Sequence, residues 1–406
     1  MTESVEARHL LDFRNDRDAT LKLIDWFDIE RVRAARMLVI GAGAIGNEVL
    51  KNLALLAVGH VFIIDRDTIE MSNLSRSVLY RAADSGKDKA ETAAKAMREL
   101  NPSVKTTFQK GDVTLDLGLG LLRRMDVVIG CLDNKQARLY INRACWKVGI
   151  SWIDAGIGQL NGQVRVFTPG QGACYECSLS EADYEDLRVP CNLLASKYES
   201  EGKIPTTPTI ASIMGAVQVQ EALKLLDPKR WEGRTLSGRE FLFNGTVGDA
   251  SVVNLPVNEN CFAHSAIDTT KLVELPDADS RSTTVTQLLE KARERLGNDA
   301  VLVLNFELCV EMRCPTCKTS IRMLCPERKI YREQLSCDQC EKDRYLVTTH
   351  TLGGSPSDYE ENFLDSKLAD LGVPALDIME ARGQNSASCY LELTGDAAWV
   401  MNPNLP

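Results

Sequence analysis

The segment that constrains this chain most is a short apolar run, Met37-Leu-Val-Ile40, that passes directly into Gly41-Ala-Gly43-Ala-Ile-Gly46. Beyond it Val49, Leu50, Leu53, Leu56 and Ala57 recur at helical spacing, and a second apolar run from His60 ends in Asp65. A buried strand, a glycine turn, an amphipathic helix and a second strand closed by a carboxylate open a βαβ nucleotide fold. The glycines let the backbone approach a phosphate, the helix N-terminus offers it N–H donors, and the acid accepts hydrogen bonds from ribose hydroxyls. The alternation continues: a helix fits 87–100, stopped by Asn101-Pro102, and a strand fits 125–131 with Asp133-Asn134 just after it. A further helix fits 209–226, ended by Asp227-Pro228. Together these predict an α/β protein with a Rossmann-like, doubly wound, mostly parallel sheet covered on both faces.

As far as Asp65, a nicotinamide dehydrogenase fits equally well. The residues beyond it do not suit hydride transfer: Asp65-Arg-Asp67, then Ser72-Asn73-Leu-Ser-Arg76, then Gly86-Lys-Asp-Lys89 before a helix. Cations gathered in this way suit charge developing on a triphosphate, and Asp133 at a strand end adds a carboxylate fit for Mg²⁺. No Gly-x-x-x-x-Gly-Lys-Ser/Thr occurs, which disfavours a P-loop ATPase. The 47 Lys and Arg stand against 57 Asp and Glu, a formal charge of −10, so no global field draws the chain to nucleic acid or an anionic membrane. The opening residues lack a secretory signal and no stretch has the length of a membrane span, so the expected location is cytoplasmic.

In that reducing setting, cysteine pairs at two-residue spacing read as metal ligands rather than disulfides. There are three: Cys174/Cys177, Cys314/Cys317 and Cys337/Cys340, among thirteen cysteines. The last two pairs, nineteen residues apart, form a zinc-ribbon pattern that would let a small appendage fold around its metal. Arg313, Lys318, Arg322, Arg328, Lys329 and Arg332 nearby make either a basic docking face or, more simply, a solvated rim. The expected organisation is an N-terminal helical segment over 1–35, a nucleotide-fold domain over 36–265, a linker over 266–282, a zinc-ribbon domain over 283–352 and a tail over 353–406. A polar loop over about 178–206 crosses the nucleotide domain. Thr284-Val-Thr-Gln287 is a capping box for a helix burying Val285, Leu288, Leu289, Ala292 and Leu296. Cys131 and Cys145 lie among apolar neighbours and read as core residues.

The glycine motif, Asp65-x-Asp67, Ser72-Asn-Leu-x-Arg76, Gly86-x-x-Lys89 and Cys131-Leu-Asp133-Asn134 stand in one order over roughly 12–265. In that order they resemble the ThiF/MoeB-like adenylyltransferases, which activate ubiquitin-like and sulfur-carrier proteins. The resemblance implies a nucleotide site of Gly41, Gly43, Gly46, Asp65, Asp67, Asn73, Arg76, Lys89, Asp133 and Asn134. In it Asp65 would hold the ribose, Arg76 and Lys89 the phosphates, and Asp133 the magnesium. Arg17 lies about where the family places an arginine that reaches a partner subunit's phosphates, which implies a homodimer, though Asn15-Asp16-Arg17-Asp18 departs from the usual Ser-Arg-Gln. The family commonly closes a structural zinc site with a second Cys-x-x-Cys. Here that place is Cys261-Phe-Ala-His264, giving Cys174, Cys177, Cys261 and His264 as ligands beside the ribbon's four.

Cys191, in the polar loop ahead of Pro205-Thr-Thr-Pro208, corresponds to the cysteine that receives the carrier as a thioester in the conjugating branch. The gap to that segment is longer than in compact members. Expected cofactors are ATP, Mg²⁺ and two structural Zn²⁺. Expected partners are a glycine-terminated ubiquitin-like or sulfur-carrier protein and a downstream carrier enzyme. The sulfur-carrier branch without thioester is the main alternative. A nicotinamide oxidoreductase and a zinc-bearing scaffold with an inactive nucleotide site are more distant ones.

Overall fold

A computed structural model describes residues 13–180, 183, 206–353 and 363–402. The first sheet is built from β1 (Arg36–Ile40), β2 (His60–Asp65), β3 (Lys105–Lys110), β4 (Val127–Gly130), β5 (Trp152–Ile157), β6 (Asn161–Phe167), β7 (Arg239–Asn244) and β8 (Asp249–Asn254). Their order is β3-β2-β1-β4-β5-β6-β7-β8, parallel from β3 to β5 and antiparallel from there to β8. The sheet is covered by α1 (Ala44–Leu55), α2 (Lys89–Leu100), α3 (Lys135–Val148) and α4 (Pro208–Leu225). Alternate residues of β1 enter opposite cores: Met37 and Val39 join Val49, Leu50 and Leu53 of α1, while Leu38 and Ile40 join Ile141 and Cys145 of α3. A strand buried on both faces has no polar alternation, which is why the 37–40 run is wholly apolar.

Two elements begin later than their pattern implies. The helix expected from 87 starts at Lys89, because the Ile69 N–H donates to the Lys87 carbonyl and the Lys89 N–H to that of Asp67, holding 87–89 against 67–69. The strand expected over 125–131 is Val127–Gly130. The N-terminal stretch described is not one helical segment. It holds a single turn at Leu21–Leu23 and a six-residue helix, Ile29–Ala34, capped by Asp28.

The second sheet corrects the expected linker and tail. It comprises β9 (Leu272–Leu275), β10 (Val301–Arg313), β11 (Ser320–Pro326), β12 (Tyr345–Leu352), β13 (Ile378–Arg382) and β14 (Ser388–Leu393), in the order β11-β10-β13-β14-β9 with β12 on β10. Strand β9, inside the expected linker, pairs in parallel with β14, inside the expected tail. Both sit where they do because Leu275, Leu391 and Leu393 are buried in the core that α5 (Val285–Leu296) covers. The predicted capping box is present: the Gln287 N–H donates to Thr284 Oγ1 at 3.3 Å, and the Thr284 N–H to Gln287 Oε1 at 2.9 Å.

The second sheet is locked by polar contacts to residues 118–124, the connection between β3 and β4. Glu392 is fully buried and ion-paired to Arg123 at 2.7 Å and to Arg124, and the buried Asp377 accepts from the Leu119 N–H. A Cβ on Gly118 would stand 2.2 Å from the Ala375 carbonyl oxygen, so the contact admits only glycine. No helix among the described residues is long and apolar enough to cross a membrane.

Candidate nucleotide site and cysteine clusters

The glycine turn lies at the C-terminal edge of the sheet, between β1 and β4, where the winding reverses. Gly41 has φ +92° and its N–H donates to the Ile64 carbonyl, so the turn leans on the end of β2. A Cβ there would meet the Cys131 carbonyl oxygen at 2.5 Å, and one on Gly46 would meet that of Gly41 at 2.0 Å. At Gly43 nothing lies within 4 Å, leaving the turn's outer side open.

Asp65 sits in the crook of this turn. Its Oδ2 accepts from the Ala42 N–H at 2.6 Å and its Oδ1 from the Asp67 N–H at 2.8 Å. Burial pushes its carboxyl above the ordinary range, against the pull of those two donors. Lys89 Nζ reaches Asp67 Oδ2 at 2.8 Å from the start of α2. Arg76 is half-buried and donates to the Ser72 carbonyl at 2.9 Å. Asn73 is turned inward, its Oδ1 accepting from the Glu70 N–H at 3.1 Å, so it fastens the loop that carries Arg76. Asp133 is exposed at the end of β4. Asn134 beside it donates to its carboxylate at 3.1 Å and caps α3 by accepting from the Ala137 N–H at 2.8 Å.

Two expected residues are not brought into this group. The Arg17 side chain is exposed in the N-terminal turns and makes no hydrogen bond or ion pair among the described residues. Cys191 lies outside the described residues. Cys145 is buried as expected, and Cys131 is half-buried, its Sγ 3.8 Å from Gln218 Oε1; burial pushes both thiols up.

Several residues that hold the site escape the sequence reading. Asn47, fully buried on α1, donates to the Ala42 and Gly43 carbonyls at 2.7 and 3.0 Å and accepts from the Leu79 N–H, while the Tyr80 hydroxyl donates to the Ala42 carbonyl at 2.7 Å. The available signal is a polar residue on an otherwise apolar helix face. Gln218 of α4 donates to the Gly130 carbonyl at 2.8 Å.

Both cysteine clusters assemble. Cys174, Cys177, Cys261 and His264 have their ligand atoms within 4.8 Å of one another, and so do Cys314, Cys317, Cys337 and Cys340. A tetrahedral ion bonded to each sulfur at ~2.3 Å keeps the sulfurs ~3.8 Å apart. The observed Sγ–Sγ separations are 3.7 Å for Cys174/Cys177, 3.6 Å for Cys174/Cys261 and 3.5 Å for Cys314/Cys340. In the first cluster the His264 ring stacks on Trp146 of α3, centroids 4.4 Å apart. In the second, both knuckles repeat one geometry: Lys318 and Glu341, each just past a Cys-x-x-Cys, have φ +58° and donate N–H to the Cys314 and Cys337 carbonyls. Each donor set can hold a metal ion of the zinc kind.

A glycine turn at a topological switch point, an acid in its crook and a cation across from it define a nucleotide-binding α/β protein of the Rossmann type. The chain belongs to the ThiF family, whose sequence model matches residues 15–263. Over 149 residues, 36% of this chain and 22% of the other, it is 38% identical to SUMO-activating enzyme subunit 2 of Dictyostelium discoideum. Over 218 residues, 54% of this chain and 45% of the other, it is 31% identical to the mouse (Mus musculus) adenylyltransferase and sulfurtransferase MOCS3. It is 28% identical to the molybdopterin-synthase adenylyltransferase of Haemophilus influenzae over 63% of this chain and 99% of that one. The chain thus spans less than half the length of the first two relatives. Among solved structures, E. coli MccB with ATP superposes with a TM-score of 0.52 at 19% identity, covering 63% of this chain and 75% of the other, a likeness of fold.

Proposed function

We propose that this protein uses ATP to adenylate the C-terminal glycine carboxylate of a ubiquitin-like protein, and then takes the acyl group onto Cys191 as a thioester for conjugation. The observation that carries this reading is the 2.8 Å pairing of Lys89 with Asp67 just beyond Asp65. It holds a cation beside the glycine turn where a triphosphate, not a nicotinamide, needs one. The carrier's carboxylate oxygen would attack the α-phosphorus; a P–O bond forms, the bond to the β-phosphate breaks, and pyrophosphate leaves. Asp65 would hold the ribose. Arg76 and Lys89, with Arg17 from a second copy in a homodimer, would balance charge on the phosphates, and Asp133 would hold a magnesium ion, which when bound screens the phosphate oxygens from one another. The Cys191 thiolate would then attack the acyl carbon and release AMP. Zinc in the two cysteine clusters would be structural, since four protein ligands leave no open position. The ribbon would offer a face to a downstream carrier enzyme, and the cytoplasm is the expected setting.

The alternative is adenylation of a sulfur-carrier protein without thioester, favoured by a relative named molybdopterin-synthase adenylyltransferase of which this chain covers 99%. The test is ATP–pyrophosphate exchange with a panel of glycine-terminated carriers, run with wild type and Cys191→Ala. Exchange by both proteins, with a reducible adduct only in wild type, supports the conjugating reading. Exchange without any adduct supports the sulfur-carrier one. No exchange with any carrier, alongside no ATP binding, overturns both.

A further inference from the structure

Behind the Asp133 turn lies a buried ion network that the nucleotide site does not use directly. Asp154 on β5 is fully buried and gripped from two sides: Arg138 Nε donates to its Oδ1 at 2.8 Å, and Arg165 Nη2 to its Oδ2 at 2.6 Å. A second Arg138 nitrogen reaches main chain: Nη2 contacts the Leu132 carbonyl at 2.5 Å, the residue before Asp133, and the Ala155 carbonyl at 3.1 Å. On the far side the Arg165 guanidinium lies over the Tyr175 ring at 5.0 Å, and Tyr175 stands between Cys174 and Glu176 in the first cysteine cluster.

Helix α3 joins the same two places a second time. Its N-terminus is capped by Asn134, next to Asp133. Two to three turns on, Asn142 accepts from the Tyr175 N–H at 3.0 Å, Arg143 grips Glu176 at 2.5 and 2.8 Å, and Trp146 stacks on His264. The Asp133 turn is therefore tied to the cluster by two routes, a helix and a chain of charged side chains.

We infer that Arg138 is a positioning residue: through its bonds to the Leu132 carbonyl and Asp154 it fixes the direction of the Asp133 carboxylate toward a nucleotide-bound magnesium ion. Arg165 and the cysteine cluster brace it from behind. This role rests on the proposed assignment of Asp133 as the magnesium ligand. Guanidinium geometry is what the place requires, because one planar group serves a carboxylate and two carbonyls at once, which a lysine ammonium on a single stem does not.

The test is calorimetric binding of ATP with and without Mg²⁺, on the whole chain with its metal content measured. In wild type Mg²⁺ tightens ATP binding. Arg138→Lys should keep metal-free ATP affinity within about twofold and lose about tenfold of the magnesium-dependent gain. Arg165→Lys, which leaves Leu132 held, should lose about threefold. A merely structural role would lower both affinities together. If Arg138→Lys does not fold, Asp154→Asn, which spares the two carbonyl contacts, is read in its place, with the about threefold loss expected of Arg165→Lys and unchanged metal-free affinity. A full magnesium-dependent gain in the folded variant overturns the inference. Asp133→Ala separates the two levels. If it loses the gain while Arg138→Lys keeps it, only the positioning role falls; if it too keeps the gain, the assignment of Asp133 falls and takes this inference with it.

Discussion

The nucleotide edge and the cysteine clusters both gather polar side chains, but they finish them differently. In the clusters every ligand atom points inward to a common centre and the backbone turns to suit. At the nucleotide edge Asp133 is exposed, Arg76 is half-buried, and Asp67, half in solvent, holds Lys89. The difference is one of completeness. A group closed on its own ligands has no valence left for chemistry, whereas charges left partly open keep free energy in reserve for a substrate.

That contrast can be broken in five ways, beginning with the largest effects. Cys337→Ser should remove one of two bound ions and unfold the knuckles around 314–345, because metal binding there is folding free energy of order 10 kcal/mol. Metal analysis and limited proteolysis would show it, with pyrophosphate exchange changed by less than about threefold. Asp133→Ala should do the reverse: exchange should fall about a thousandfold, a transition-state loss of ~4 kcal/mol, with the melting temperature unmoved. Should exchange follow the cysteines and not Asp133, the contrast is wrong.

Within the nucleotide edge the glycines divide in the same manner. Gly46→Ala pushes a Cβ into the Gly41 carbonyl and should cost ~3 kcal/mol in urea unfolding. Gly43→Ala points into open space, so stability should hold within ~0.5 kcal/mol while ATP loses affinity. The last effect is a pH dependence. Burial holds the His60 imidazole down at about 4, its Nε2 hydrogen-bonded to Thr107 Oγ1 at 2.9 Å. Below the ordinary value of 6.5 the unfolded chain takes up a proton that the folded one refuses. Stability from this site is therefore complete above pH 6.5 and declines as pH falls toward 4, by about 2 kcal/mol. Urea midpoints across that window should show a slope that His60→Gln flattens.

What is legible in the sequence is local. Gly41-x-Gly43-x-x-Gly46 and Asp65 announce a βαβ unit because turn, helix and strand each carry their own short-range signal, and the four cysteines of 314–340 do the same for a knuckle pair. The strand Leu272–Leu275 escapes because four residues show no period and its partner lies far along the chain. Arg138 and Arg165 escape because their meaning depends on Asp154, which pairs with Arg165 from the neighbouring strand and is reached by Arg138 from α3. Asp154 is the clue available, a carboxylate inside the apolar run Trp152-Ile-Asp154-Ala155. Asn47 gives a similar sign on α1. Arg17 is exposed in the N-terminal turns, and Cys191 lies outside the described residues.

The parallel pairing of β9 with β14 has a consequence for how the chain is made. Leu391 sits opposite Val273, so the second sheet cannot close when its first strand leaves the ribosome. The hydrophobic edge of that strand must wait for β14, and so must one face of the first sheet, whose core includes Ile267, Leu376 and Ile378. Closing the second sheet therefore also completes that face of the first, and it is then that the buried Glu392 meets Arg123 and Arg124.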